Sequence, residues 1–212
     1  MQCPLCQNGS ASLKSLNVSD DKKYYDCKIC KLIFLDKIFY LSEKEEKKRY
    51  LLHNNDINDL GYQQFVYDIT NYIQKNIQPP ASGLDFGSGS NSVVSSLLKK
   101  ANFNIYQYDP YFSPNIENLS LKYDFIIACE VVEHLYNPHW EFKKLQYLLN
   151  DGAPLVIKTD IYHDSINFDK WYYRGDPTHV VFYRHETFEW IKNTYKFKML
   201  SQISSRSMAL WN

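Results

Sequence analysis

The sequence predicts an α/β protein: a doubly wound, mostly parallel sheet with a small cysteine-bearing ribbon at its N-terminus. Three observations carry that expectation. Strand-like and helix-like segments alternate through the C-terminal two thirds of the chain, as in a parallel sheet covered by helices on both faces. The run Gly83-Leu84-Asp85-Phe86-Gly87-Ser88-Gly89 sets a glycine-rich turn between a buried strand and a helix. Two Cys-x-x-Cys pairs, Cys3/Cys6 and Cys27/Cys30, lie close together near the start.

The glycines let backbone approach a ligand with no Cβ in the way. A second acid, Asp109, stands where the next parallel strand should end, and a carboxylate there typically takes the two hydroxyls of a bound ribose. A tight βα turn with no ligand would use the same glycines, but not that second acid. The dinucleotide fingerprint needs a third small residue packing helix on sheet; Ser92 occupies that place, and Asp85 just before the turn would repel a pyrophosphate. S-adenosylmethionine has a ribose, an ammonium and no phosphate, so Asp85, Gly87, Gly89 and Asp109 are read as its binding residues. On these residues the chain resembles the class I S-adenosylmethionine-dependent methyltransferases. Tyr123-Asp124-Phe125-Ile126-Ile127-Ala128-Cys129-Glu130-Val131-Val132-Glu133-His134-Leu135 is similar to that family's fourth strand and the turn after it. Asp151-Gly152-Ala153-Pro154-Leu155-Val156-Ile157 is similar to its fifth strand and the turn before it. The resemblance runs from about residue 60 to 212 and departs from the family at Asn91, where many members carry a third glycine. It implies a Rossmann-like sheet of seven strands, and it sets Glu130, at the end of strand four, against the cofactor.

The elements follow in order. In the ribbon, each cysteine pair grips from a tight turn and four thiolates close a tetrahedral sphere, so a structural zinc on Cys3, Cys6, Cys27 and Cys30 is expected. Redox chemistry of the thioredoxin kind would need one pair beside a βαβ unit, and a reducing cytosol disfavours disulfides. Tyr24–Cys27 and Leu32–Leu35 read as short strands. Ser42 to Arg49 reads as a charged helix with Ser42 as N-cap and Glu45 at the third position, a solvated linker. From Asp59 to Ile77, Tyr62, Phe65, Val66, Ile69, Tyr72, Ile73 and Ile77 fall at helical spacing, and Pro79-Pro80 ends the helix. Residues 83–86, 104–108 and 154–159 read as strands and 91–101 as a helix. Residues 123–129 form a nearly unbroken apolar run, a strand buried on both faces, with Cys129 as a core thiol. Pro138 to Leu149 is a helix with proline near its start. His185 to Tyr195 is another, and residues 197–203 and 206–211 make a terminal hairpin. The third strand is the weak point, because residues 112–122 hold Pro114 and several turn formers. The expected division is a zinc ribbon over residues 1–40, a helical linker and cap over 41–80, and the cofactor-binding domain over 81–212.

Composition narrows the function. The 212 residues carry 24 basic and 24 acidic side chains, so nothing draws the whole molecule to nucleic acid. No apolar run approaches the length of a membrane span, and the start, Met1-Gln2-Cys3, is no signal peptide. A cytoplasmic protein without a membrane partner is expected, acting on a small-molecule substrate. Two other classes stay open: an RNA methyltransferase that uses the ribbon, with Lys22, Lys23, Lys28 and Lys31 near the knuckles, and a non-catalytic cofactor-binding protein.

Methyl transfer is an in-line displacement, so the acceptor's groups belong at the ends of strands four and five and in the loops beyond. Glu130, Glu133 and His134 follow strand four; Asp160 and His163 follow strand five. The segment from Phe168 to Tyr183 then crowds aromatics with Arg174, Asp169, Asp176 and His179. It is similar to the pattern Trp-x-Tyr…Asp-x-Thr-His-x-x-Phe-Tyr of a bacterial methyltransferase subset that also carries an N-terminal zinc knuckle. Tyr50, His53, Asn54, Tyr62 and Asp109-Pro110 match that subset too. His179 is the expected group that orients or deprotonates the acceptor, with Asp176 or Asp160 setting its tautomer and His134 competing for the role. Trp171, Tyr172 and Tyr183, with Asp160, are the expected acceptor-binding residues.

Overall fold

The computed structural model describes residues 1–52 and 56–212. His53 and Asn54 lie outside the described residues. Three short antiparallel strands come first: β1 (Leu13–Leu16), β2 (Tyr24–Cys27) and β3 (Ile33–Leu35). Helix α1 (Glu43–Tyr50) starts with a complete capping box between Ser42 and Glu45. Helix α2 (Leu60–Asn76) starts at Asp59, whose carboxylate accepts the Gly61 and Tyr62 N–H groups.

The main sheet is built from β4 (Ser82–Phe86), β5 (Asn104–Tyr108), β6 (Phe125–Cys129), β7 (Pro154–Lys158), β9 (Met199–Ser204) and β10 (Ser207–Trp211). Its order is β5-β4-β6-β7-β10-β9, with β5, β4, β6 and β7 parallel and the terminal hairpin antiparallel to them. On one face α2 and α3 (Val93–Lys100) bury Val66, Ile69, Ile73, Val94 and Leu98 against Phe125, Ile127 and Val156. On the other, α4 (Pro138–Leu148) and α5 (His185–Tyr195) bury Phe142, Leu145, Phe188 and Ile191. Connections run from β4 to β5 on one side and reach β6 on the other. The crevice at the carboxyl end of β4 is therefore the place where a doubly wound sheet takes a ligand.

Three expectations change. The sheet has six strands among the described residues, not seven. In the stretch expected to hold the third strand, a bridge from Asp109 to Ser113 turns the chain, and a short 3₁₀ turn (Ile116–Ser120) follows, pinned to β5 by the Asn118 side-chain amide on the Gln107 carbonyl. Pro114 has no N–H to donate to a ladder, in keeping with that outcome. The ribbon is not a separate lobe: β8 (Val181–Phe182), from the far end of the chain, is the fourth strand of its sheet, pairing Ile33 with Phe182 and Phe34 with Val181. Cys3, Leu5, Tyr24 and Leu35 share one core with Phe142, Phe182 and Tyr183. Nor is α1 a solvated linker. Its Glu46 is buried and accepts hydrogen bonds from the Tyr50 and Tyr111 hydroxyls, at 2.7 and 2.8 Å.

Candidate active site

The crevice opens into a cavity of about 1010 Å³. Its lower wall is the Gly87–Gly89 turn, with Asp85, Asp109 and Glu130 at the strand ends; its upper wall is α1 (Glu46, Arg49, Tyr50) and the segment Tyr172–His179. That size lies at the upper end of the usual range of a ligand pocket, roughly 300–1,000 Å³.

The turn is formed by local chemistry. Gly87 has φ +75°, and a Cβ there would lie 2.5 Å from Val131 Cγ2. The Gly87 and Ser88 N–H groups both donate to the Tyr108 carbonyl, and Gly89 N–H donates to Asp109 Oδ2 at 3.0 Å. Asp109 Oδ1 accepts the Tyr111 and Phe112 N–H groups, so the carboxylate is held rigidly at the tip of β5. Ser92, in place of the third small residue, caps α3 and donates to Asp85; Ser95 does the same at 2.6 Å. Burial raises the Asp85 carboxyl above its usual range against those two hydroxyls.

Glu130 is the most unusual residue of the wall. Its backbone has φ +53°, a left-handed conformation rare for a residue with a side chain, and its N–H donates to the Lys158 carbonyl at 2.8 Å. Burial and the neighbouring Glu133 push its carboxyl up to about 8, with Arg206 pulling the other way. Glu133 is fully buried behind the wall; it accepts from the Tyr173 hydroxyl and, at 3.0 Å, from Thr159, and burial raises it to about 7.

His134 and His179 both line the cavity, with ring centroids 4.8 Å apart. His134 Nδ1 faces the Thr178 carbonyl at 3.0 Å, and His179 Nδ1 faces the Tyr173 carbonyl at 2.7 Å. A carbonyl only accepts, so each Nδ1 carries a hydrogen. Burial, then the adjacent His134, lowers His179 to about 4 and keeps it neutral. The tautomer-setting group is therefore backbone, not the expected Asp176 or Asp160. Asp176 instead pairs with Arg49 at 2.6 Å and accepts from Thr178. Burial opposes its ionisation, but the Thr178 hydroxyl and N–H outweigh that and hold it at about 2. Asp160 pairs with Arg206 and accepts from the Tyr172 hydroxyl.

The expected acceptor residues divide. Tyr172 lines the cavity. Trp171 is buried against Tyr162, Phe168 and Phe182, and Tyr183 is fully buried with its hydroxyl on the Val132 carbonyl, so both belong to the core. Cys129 moves the other way: it lies in the cavity wall, its thiol kept protonated by burial and by Glu130. His163 is an exposed residue that shares a hydrogen bond with Ser165. Sequence reasoning missed Glu46, Arg49, Tyr111, Tyr136 and Arg206 on the wall. For α1, the match of Tyr50 to the zinc-knuckle subset was the available signal.

The four ribbon cysteines also converge, with all four Sγ atoms within 4.8 Å of one another. Cys3 and Cys30 are 3.5 Å apart and Cys6 and Cys27 3.4 Å apart, too far for disulfides and near the edge of a ZnS₄ tetrahedron, about 3.8 Å for Zn–S bonds of about 2.3 Å. The two knuckles repeat one geometry. Gln7 N–H donates to the Cys3 carbonyl and Lys31 N–H to the Cys27 carbonyl, and both donors adopt left-handed backbone. Cys3 N–H reaches the Asn8 carbonyl as Cys27 N–H reaches that of Leu32.

Comparison with known proteins agrees with this geometry. A family model described as a methyltransferase domain matches residues 60–202. No curated protein matches the sequence. Among solved structures, magnesium protoporphyrin IX methyltransferase from Synechocystis PCC 6803, with bound S-adenosylmethionine, superposes with a TM-score of 0.51 at 15% identity, over 83% of this chain and 94% of that one. The PH0226 protein from Pyrococcus horikoshii gives 0.53 at 14% identity, over 78% and 98%. An O-methyltransferase family protein from Burkholderia thailandensis gives 0.53 at 8% identity, over 79% and 62%, so this chain spans less than two thirds of that protein's length. Matched across most of its length, and folded with its glycine turn and strand-end acids on one cavity, the chain belongs to the methyltransferase-domain family.

Proposed function

We propose that the protein is an S-adenosylmethionine-dependent methyltransferase acting on a small-molecule acceptor, with a structural zinc in its ribbon. The observation that carries the reading is the convergence of Asp109, the Gly87–Gly89 turn and Glu130 on one cavity. When bound, the cofactor supplies an electrophilic methyl group on a sulfonium. The Asp109 carboxylate, immobilised by three N–H groups, takes the ribose hydroxyls. Gly87 and Gly89 leave room for the amino-acid end, and the Asp85 and Glu130 carboxyls, both raised by burial, line the cavity there, where a cationic group favours their ionised forms. His179 presents a neutral imidazole to the acceptor, His134 lies beside it on the wall, and Tyr172 walls the acceptor. A small acceptor is supported by α1, which lines the cavity and is tied down by Arg49 on Asp176. Zinc is supported by the paired knuckles and by sulfur spacings close to a tetrahedron.

Calorimetry tests the cofactor. S-adenosylhomocysteine should bind at one site per chain, and NADH should not. Preference for NADH would end the methyltransferase reading.

A further inference from the structure

We infer that Glu133, His134 and His179 form a site for one divalent first-row cation at the cavity wall, which receives an acceptor bearing oxygens on two neighbouring atoms. The acceptor class rests on the methyltransferase reading; the cation site does not.

The three side chains each offer a ligand atom, and those atoms lie within 4.8 Å of one another. His134 Nε2 is 4.0 Å from Glu133 Oε1. Two imidazoles and one carboxylate are the donor set that suits divalent iron or manganese while leaving several coordination positions open. Bonds of about 2.1 Å ask for ligand separations of about 3–3.4 Å, so the rings need to draw in by about 1 Å.

What surrounds the three residues points to the same use. Metal-bound histidines usually donate the other ring N–H to a carbonyl or carboxylate, which fixes the tautomer. Here both do: the Nδ1 groups are held by the Thr178 and Tyr173 carbonyls. The carboxylate is steadied in turn by the Tyr173 and Thr159 hydroxyls. The two segments that carry the ligands are fastened together, with Val180 N–H on the Glu133 carbonyl at 2.9 Å and the Tyr183 hydroxyl on the Val132 carbonyl. Glu133 closes the site from behind, while the two imidazoles stand in the cavity wall. The open positions therefore face the cavity beside Glu130, where an acceptor enters. Two oxygens on adjacent atoms, as in a catechol or a vicinal diol, fill neighbouring positions.

Manganese separates this site from the ribbon, because thiolates select softer metals. The protein is titrated with MnCl₂, with and without S-adenosylhomocysteine, and free Mn²⁺ is followed by electron paramagnetic resonance. About one Mn²⁺ per chain should leave the free signal, and Glu133→Gln and His179→Gln should each weaken binding by about tenfold or more. Both variants should keep S-adenosylhomocysteine affinity within about twofold, which also shows that they are folded. An unchanged free signal with the wild-type protein overturns the site whatever the variants do, and so does equal binding by both folded variants. The two readings fail separately. Mn²⁺ bound by a protein with no S-adenosylhomocysteine affinity upholds the cation site and ends the methyltransferase reading. Cofactor affinity without Mn²⁺ binding removes the cation site alone.

Discussion

Asp109 shows how one residue does two jobs. Its carboxylate ties Gly89 to the tip of β5 and, in the proposed complex, holds a ribose. Asp109→Ala removes a charged acceptor, so S-adenosylhomocysteine affinity should fall by about 1.5–3 kcal/mol in calorimetry. Unchanged affinity would place the ribose elsewhere. Gly87 is constrained by space as well as conformation. An alanine there would take φ +75° and push into Val131, whose neighbour Glu130 already has a left-handed backbone. Gly87→Ala should lower stability by about 1–3 kcal/mol and weaken cofactor binding along with it. Thermal denaturation with and without S-adenosylhomocysteine reads both.

At the scale of elements, one partly buried ion pair fastens a helix to the sheet. Lys158, on β7, is almost fully buried and lies 3.0 Å from Asp68 of α2, whose carboxylate also accepts from Ser204 and Ser207. Nothing in the local sequence announces that pair, because its members are 90 residues apart. Replacing the acid leaves a buried ammonium unpaired, so Asp68→Ala should cost about 3–5 kcal/mol in urea unfolding. A cost below about 1 kcal/mol would mean that Lys158 finds water or another partner.

The whole molecule is welded through the ribbon. Beyond the β3–β8 ladder, Arg184 pairs with Asp26 and caps the Lys31 carbonyl, Arg174 reaches Asp20, and Asp169 accepts from Ser19. If zinc holds the knuckles, its removal should be felt at the cavity. Hydrogen exchange after treatment with a strong chelator should rise in residues 1–35 and also in 168–184, while β4 and the Gly87–Gly89 turn keep their protection. Exchange confined to residues 1–35 would show instead that the ribbon melts alone.

Several features were legible in the sequence because they are decided within a few residues. The Ser42 capping box, the periodic apolar face of α2, the apolar run of β6, the glycine turn and the two knuckles all rest on local backbone preference and spacing. Asp85, Asp109 and Glu130 could be placed because the end of a strand is a local event. What needed the tertiary structure is every feature in which distant segments compete for one space. Tyr183 carries the same side chain as Tyr172, and Trp171 is an aromatic of the same segment, yet only packing put Tyr183 and Trp171 in the core and Tyr172 on the cavity. A charged helix became a roof because Glu46 and Arg49 found partners at Tyr111 and Asp176. The seventh strand gave way to a turn at Asp109, and the ribbon gained its fourth strand from residues 181–182, pairings whose partners no local pattern names.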